Sequence, residues 1–300
     1  MARKHLWADP VAIAQNSIHS LAFHRGLGDP LHPLSSVPVN KYLDADSCAE
    51  YAASAYAKGN FSIVANGADS SELSKWINEF FGNVPAPSGF ELKSEQSKYF
   101  GGEERIASAA GNALVMAFPG SSSPTGPFFK PEIAVLAALL GGQTTIKWSP
   151  GFSLLSKATA EAPNMFIDTR SLIYSDAGLL QITMSGSASD IGTTAPKVVE
   201  ALKSCAQNIS KEDFEKAKAL AKFKELEFGQ ETQAGMELTG AGLVAGGKAY
   251  QIDENAKAVD GVTIEKVKQV AKEALENKAS VSCVGDLYQI PYAAELGLKV

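Results

Sequence analysis

The order of elements near the two ends of the chain constrains its fold more than any single motif does. A helical pattern, a short apolar run and a glycine follow one another over Asp46–Asp69, and again over Thr263–Leu287. Gly67 and Gly285 close the two runs, and Ser62 and Ser280 stand five residues before them. The separation of about 218 residues is far longer than a solenoid repeat and suits duplicated domains. A single helix–strand pair also recurs by chance, so the pattern permits duplication without requiring it.

Between these units the chain alternates helical and extended patterns. Apolar spacing predicts helices over 10–23, about 45–58, 70–81, 131–140 and about 153–161. Further helices are expected near 194–206, 210–228, 231–245 and 263–276. Asp9 with Pro10 supplies the start of the first, a capping side chain followed by a residue with φ already set for a helix. Strands are predicted at 61–65, 113–118, 165–174, 178–184 and 280–284, with Ser175–Gly178 as the turn of an antiparallel pair. Gly101-Gly102-Glu103-Glu104-Arg105 reads as a turn before a strand. Residues 83–97 change character, with Pro85, Pro87, Ser88 and Gly89 followed by scattered charge, and form the best linker.

Composition narrows the function classes. With 45% hydrophobic and 20% charged residues the 300-residue chain can bury a sizeable core, more in keeping with two domains than one. A net charge of −6 with no Lys/Arg stripe argues against nucleic acid as a partner. No window reaches the roughly 18–20 apolar residues that cross a bilayer. The three cysteines, Cys48, Cys205 and Cys283, form no Cys-x-x-Cys pair, and Cys283 reads as a small buried hydrophobe. The basic start, Met1-Ala-Arg-Lys-His-Leu-Trp, has no apolar stretch behind it, and the chain reads as beginning inside a fold.

Catalytic patterns are missing from the sequence. All four histidines (His5, His19, His24, His32) lie in the first 32 residues, and neither zinc-peptidase spacing of His and Glu occurs. His19 and His24 fall about 140° apart on a helical wheel and cannot chelate one ion from a regular helix. With no histidine after His32, the later part of the chain holds no Ser-His-Asp or Cys-His triad. Phosphate-cradling glycine motifs are lacking too. Asp168, Asp176, Glu103 and Glu104 are carboxylates that could pair, although nothing in their spacing demands it. No catalytic, metal-ligating or cofactor-binding residue is assigned. The most unusual local feature is Gly141-Gly-Gln-Thr-Thr-Ile-Lys-Trp-Ser-Pro-Gly151. Such a loop either grips an extended peptide through exposed backbone or simply joins two helices, with Gly141-Gly142 as the C-cap.

Several segments together resemble the family of mitochondrial processing peptidases and respiratory complex III core proteins. They are Asn16-Ser-Ile-His-Ser-Leu-Ala-Phe23 with Gly26-Leu-Gly28-Asp-Pro-Leu31, and Lys98-Tyr-Phe-Gly-Gly-Glu-Glu-Arg105. Leu139-Leu-Gly-Gly through Ala158, Tyr174-Ser-Asp-Ala-Gly-Leu179 and Ile290-Pro-Tyr-Ala-Ala-Glu-Leu296 follow in order. The resemblance implies an α+β fold of two homologous domains, each a mixed, mainly antiparallel sheet with helices packed on it. Residues 1–82 would be the C-terminal half of the first, 83–97 the linker, and 98–300 the complete second domain. It further implies a non-catalytic subunit of mitochondrial complex III, peripheral on the matrix side of the inner membrane. Its partners would be a core protein 1-like subunit and other subunits of that complex, with no nucleic acid, small-molecule substrate or cofactor. The competing branch is the presequence-binding α-type subunit of the processing peptidase. For that role Gly141, Gly142, Gln143, Lys147, Trp148 and Gly151 form the candidate, degenerate peptide-binding loop. Thr144, Thr145 and Ile146 make it stiffer than a glycine-rich one and favour the structural role.

Overall fold

The structure, a computed structural model, describes residues 7–30, 44–86, 96–143, 151–162 and 164–300. A five-stranded mixed sheet organises it. The strands are β1 (Gly102–Ala107), β2 (Asn112–Pro119), β3 (Phe166–Ile173), β4 (Gly178–Gly186) and β5 (Ser280–Gly285), in the order β1-β5-β2-β4-β3. The β1–β5 pair is parallel and the other pairs are antiparallel.

Strand β2 explains why the sheet has two covered faces. Leu114, Met116 and Phe118 belong to the cluster beneath the helical layer, whereas Ala113, Val115 and Ala117 belong to the opposite cluster. Side chains alternate along a strand, so a strand buried on both faces reads as an unbroken apolar run. On the large-residue face lie α4 (Pro131–Leu140), α6 (Ala188–Gln207), α7 (Lys211–Gln230) and α10 (Ile264–Glu276), with the short α5 (Leu154–Ala158) against α6. The small-residue face is covered by α1 (Pro10–Phe23), which packs on β1, β2 and β5. Its start is as expected: the Asp9 carboxylate accepts from the Val11 N–H at 2.9 Å, with Pro10 in the first turn. Ile13, Ala14, Ile18, Ala22 and Phe23 are its buried face.

Two further helices precede the sheet in sequence, α2 (Ala45–Ala55) and α3 (Ser70–Phe81). Asp69 caps α3 through the N–H groups of Ser71 and Glu72, yet no α3 residue is buried. Trp76 and Phe80 stack on each other while remaining exposed. Helices α8 (Thr232–Gly246) and α9 (Ile252–Asp260) complete the set, both packing on α7.

Four expectations need correction. Residues 61–65 are not a strand: a strand exists through ladder bonds to a neighbour, and among the described residues none lies beside this run. Ser62 instead donates to the Gly240 carbonyl of α8 at 3.0 Å. The turn read at Gly101–Arg105 is confined to Gly101, with φ +82°, and β1 already runs from Gly102. Helix α6 begins at Ala188 rather than Thr194, because Ser187 caps it through the Asp190 N–H and Ile191 and Ala195 are buried. Packing there overrides the interior Pro196. Helix α9 was not anticipated, having only nine residues and no side-chain cap.

Arg105 makes three of the side-chain bonds that fasten the C-terminal segment to the sheet, beside those that Glu103 accepts from the Ala293 N–H and Asn112 from the Asp286 N–H. The Arg105 guanidinium donates to the carbonyls of Leu287 (2.8 Å), Ile290 (2.7 Å) and Pro291 (3.1 Å), and pairs with Glu103 at 3.1 Å. The Tyr292 ring covers it, 3.9 Å from the centroid. Ile290, Ala293, Leu296 and Leu298 are thereby held in the core. A lysine has no planar fork with which to reach three carbonyls. Replacing Arg105 by Ala should remove about 2–3 kcal/mol of local stability, roughly 30- to 150-fold in the opening equilibrium. Hydrogen exchange at residues 286–298 reads this directly, and Arg105→Lys should restore less than half of the protection.

Candidate functional site

The candidate loop leaves α4 and arrives on the free edge of the sheet. Gly141 adopts φ +60° and donates to the Ala137 carbonyl at 2.8 Å, ending the helix as a glycine cap does. Gly142 then passes so close to β3 that a Cβ would collide with the Ile167 carbonyl oxygen. The Gln143 N–H donates to that same oxygen at 2.8 Å. Across the loop, the Ser153 hydroxyl bonds the Gly142 carbonyl at 3.3 Å and caps α5 through the Ser156 N–H. Gly151, with φ +77°, occupies the left-handed region that other residues adopt at a cost. Gly142 and Gln143 therefore meet β3 and Gly141 faces Ser153, while Lys147 and Trp148 lie outside the described residues.

β3 is an edge strand, and β4 is its partner in the sheet. Beside it α4, β3 and α7 enclose a cleft of about 240 Å³ floored by Ala134, Ala137, Ala138 and Ala221. Thr169 points into the protein from the middle of β3, 5% exposed, and its hydroxyl has no hydrogen-bond partner. A strand edge beside an alanine-floored cleft can receive an extended backbone.

The other chemistry-bearing residues do not converge on this place. His19 has both ring nitrogens occupied, by the Gln15 carbonyl and the Tyr174 hydroxyl, each at 2.6 Å. A carbonyl only accepts, so Nδ1 carries the proton and Nε2 takes the tyrosine hydrogen in the neutral ring. His24 stacks on Phe100 with centroids 4.0 Å apart. His5 and His32 lie outside the described residues. Among the described residues, no three His, Cys, Asp or Glu side chains are placed to hold a metal ion.

The four carboxylates are scattered. Glu103 pairs with Arg105 and Glu104 accepts from Ser17; Asp168 pairs with Arg170 at 2.5 Å, and Asp176 accepts from the Ser97 N–H at 2.7 Å. Burial pushes the Cys205 thiol up to about 12 and Cys283 to about 11, which makes both poor nucleophiles. Tyr99 is likewise pushed up to about 12 by burial, its hydroxyl donating to the Ala117 carbonyl at 3.0 Å beside Ser280. Through these bonds Glu104, Asp176 and Tyr99 tie separate elements together.

Sequence reasoning found the loop through its glycines. It missed Thr169 and the alanine floor, because an edge strand and its neighbouring helix are brought together by topology and not by spacing.

A mixed α+β sheet covered on both faces carries a glycine loop on its edge strand, and among the described residues no metal-ligating cluster accompanies it. The chain belongs to the peptidase M16 family: the profile described as "Peptidase M16 inactive domain" matches residues 42–220. That single match runs across residues 83–97. Its relatives include the Neurospora crassa protein "Cytochrome b-c1 complex subunit 2, mitochondrial", 48% identical over 293 residues and 97% of this chain. The protein of the same name from Cryptococcus neoformans is 32% identical over 97% of this chain. "Mitochondrial-processing peptidase subunit alpha-2" of Dictyostelium discoideum is 26% identical over 92%. The chain spans 64%, 65% and 62% of the length of these three relatives respectively. A chain in the structure "Complex III2 from Candida albicans, Inz-5 bound" shares the fold, with a TM-score of 0.80 at 16% identity over 99% of this chain and 72% of that one.

The loop geometry yields a direct test. Gly142→Ala must push the loop off β3 and should cost about 1–3 kcal/mol, a fall of roughly 2–8 °C in melting temperature. Gly151→Ala places a Cβ in the left-handed region and should cost about 1–2 kcal/mol.

Proposed function

We propose that this chain is a non-catalytic core subunit of mitochondrial respiratory complex III, acting in assembly and support of ubiquinol–cytochrome c reductase. The observation that carries the reading is the 48% identity to cytochrome b-c1 complex subunit 2 across 97% of this chain. Scattered carboxylates, a His19 engaged at both ring nitrogens and a His24 stacked on Phe100 accord with a subunit that does no chemistry. Among the described residues no helix is long and apolar enough to cross a membrane. That agrees with a peripheral position on the matrix side of the inner membrane, beside a core protein 1-like partner.

The reading includes two homologous domains, with residues 1–82 as part of the first, 83–97 as the linker and 98–300 as the second. Support comes from α2 and α10, each followed by a glycine with positive φ, Gly67 (+78°) and Gly285 (+118°). The uncovered Trp76, Phe80 and Phe81 on α3 suit a helix that meets further protein. In a variant keeping Trp76 as its sole tryptophan, acrylamide should quench the 300-residue chain strongly. A longer form of the length of its relatives should be quenched several-fold less, and equal quenching would count against the domain reading.

A second reading, presequence binding in a processing peptidase, draws on the Gln143 contact with the β3 edge and on the Dictyostelium relative. Purification of the tagged full-length protein from gently solubilised mitochondria separates the two. Cytochrome b, a c-type cytochrome and a second core-like chain should co-purify. Recovery of a soluble zinc peptidase alone, with presequence-cleaving activity, would overturn the complex III assignment.

A further inference from the structure

The helical layer contains a buried polar cluster that plays no part in the proposed subunit role. Glu225 lies on α7, Asn255 on α9 and Tyr250 just before α9. The Asn255 Nδ2 donates to Glu225 Oε2 at 2.5 Å. Asn255 is 3% exposed, and its Oδ1 has no hydrogen-bond partner; the buried Tyr250 hydroxyl also lacks one. The junction is tight. At Gly229, one turn beyond Glu225, a Cβ would lie 2.6 Å from the Ile252 side chain and 3.2 Å from the Tyr250 hydroxyl. A buried amide oxygen facing no donor is a standing penalty that a proton donor would remove.

We propose that Glu225 and Asn255 form a proton-operated latch between α7 and α9. With the carboxyl ionised, a single hydrogen bond joins the two side chains. When Glu225 takes one proton from water, the new acid O–H donates to Asn255 Oδ1, while Nδ2 keeps its bond to the other carboxyl oxygen. One bond becomes a two-bond acid–amide ring, and the orphan oxygen is satisfied. Water reaches Glu225 from the cleft of about 240 Å³ that it lines beside β3.

The surrounding charges do not supply an alternative partner. Burial holds the Glu225 carboxyl above its ordinary value, opposed only by the Asn255 bond. Arg170 of β3 and Lys224 of α7 line the same cleft, and Arg170 is engaged by Asp168 at 2.5 Å. Lys222 of α7 pairs with Asp260 of α9 at 2.5 Å, and Lys248 with Glu254 at 2.7 Å. The α4 wall of the cleft is Ala134, Ala137 and Ala138. Tyr250 is raised by burial, opposed by its interaction with the Asn255 side chain, and the nearby Glu225 charge adds to the shift. The folded state thus binds this proton more tightly than the unfolded chain does. The resulting stability is complete below the ordinary glutamate range and is lost as pH rises through the raised value.

Hydrogen exchange of the α9 amides in the full chain, corrected for intrinsic pH dependence, tests the latch between about pH 3.5, below the ordinary glutamate value, and about pH 8. Wild-type protection should fall about tenfold for each unit by which the folded value exceeds the unfolded one. Glu225→Gln, which keeps a donor and an acceptor at any pH, should show a flat profile. Identical profiles for wild type and Glu225→Gln would overturn the proposal. Carboxyl-¹³C glutamate labelling of the wild type offers a second reading that needs no variant. One resonance should titrate above the ordinary glutamate range, and its absence would equally overturn the latch.

Discussion

Strand β2 lies in the interior of the sheet with large residues on one side and small ones on the other, and the rest of the molecule is arranged around that asymmetry. Leu114, Met116 and Phe118 demand a thick cover, which four helices provide. Ala113, Val115 and Ala117 leave room for one closely approaching helix, and α1 fills it. Burying an aliphatic or aromatic side chain of this kind is worth about 1.5–3 kcal/mol.

Much of this was legible from residue patterns. Pro10–Phe23, Ser70–Phe81 and Pro131–Leu140 were bounded to the residue, because an aspartate or a proline marks where each begins. The β3–β4 pair declared itself through Ser175–Gly178 between two apolar runs. Failures occurred where packing decides and local pattern does not. Residues 61–65 have the composition of a strand and no ladder; 252–260 form a helix because α7 and α4 flank them, with no capping side chain to announce it. Glu103, Glu104 and Arg105 look like surface charge, yet Arg105 is among the more deeply engaged side chains, with three backbone carbonyls to satisfy. The glycine loop was recognisable as unusual, whereas its seat on β3 required the strand order.

The geometry of the glycine loop follows from the fold itself. The loop touches an edge strand through one N–H, and Gly141 and Gly142 are needed to end α4 and pass β3. Such glycines serve the fold whether or not a peptide ever lies beside them.

Strand order also governs how such a protein can be made. β5 sits between β1 and β2, although the ribosome produces it long after both of them. Until it emerges, β1 has no partner and β2 has one bare side, so the nascent chain carries an open slot through most of its synthesis. A long-range parallel pairing forms slowly because loop closure must come first. The sheet therefore closes in one late step, and a holding factor during translation or import would shield that gap until β5 enters it.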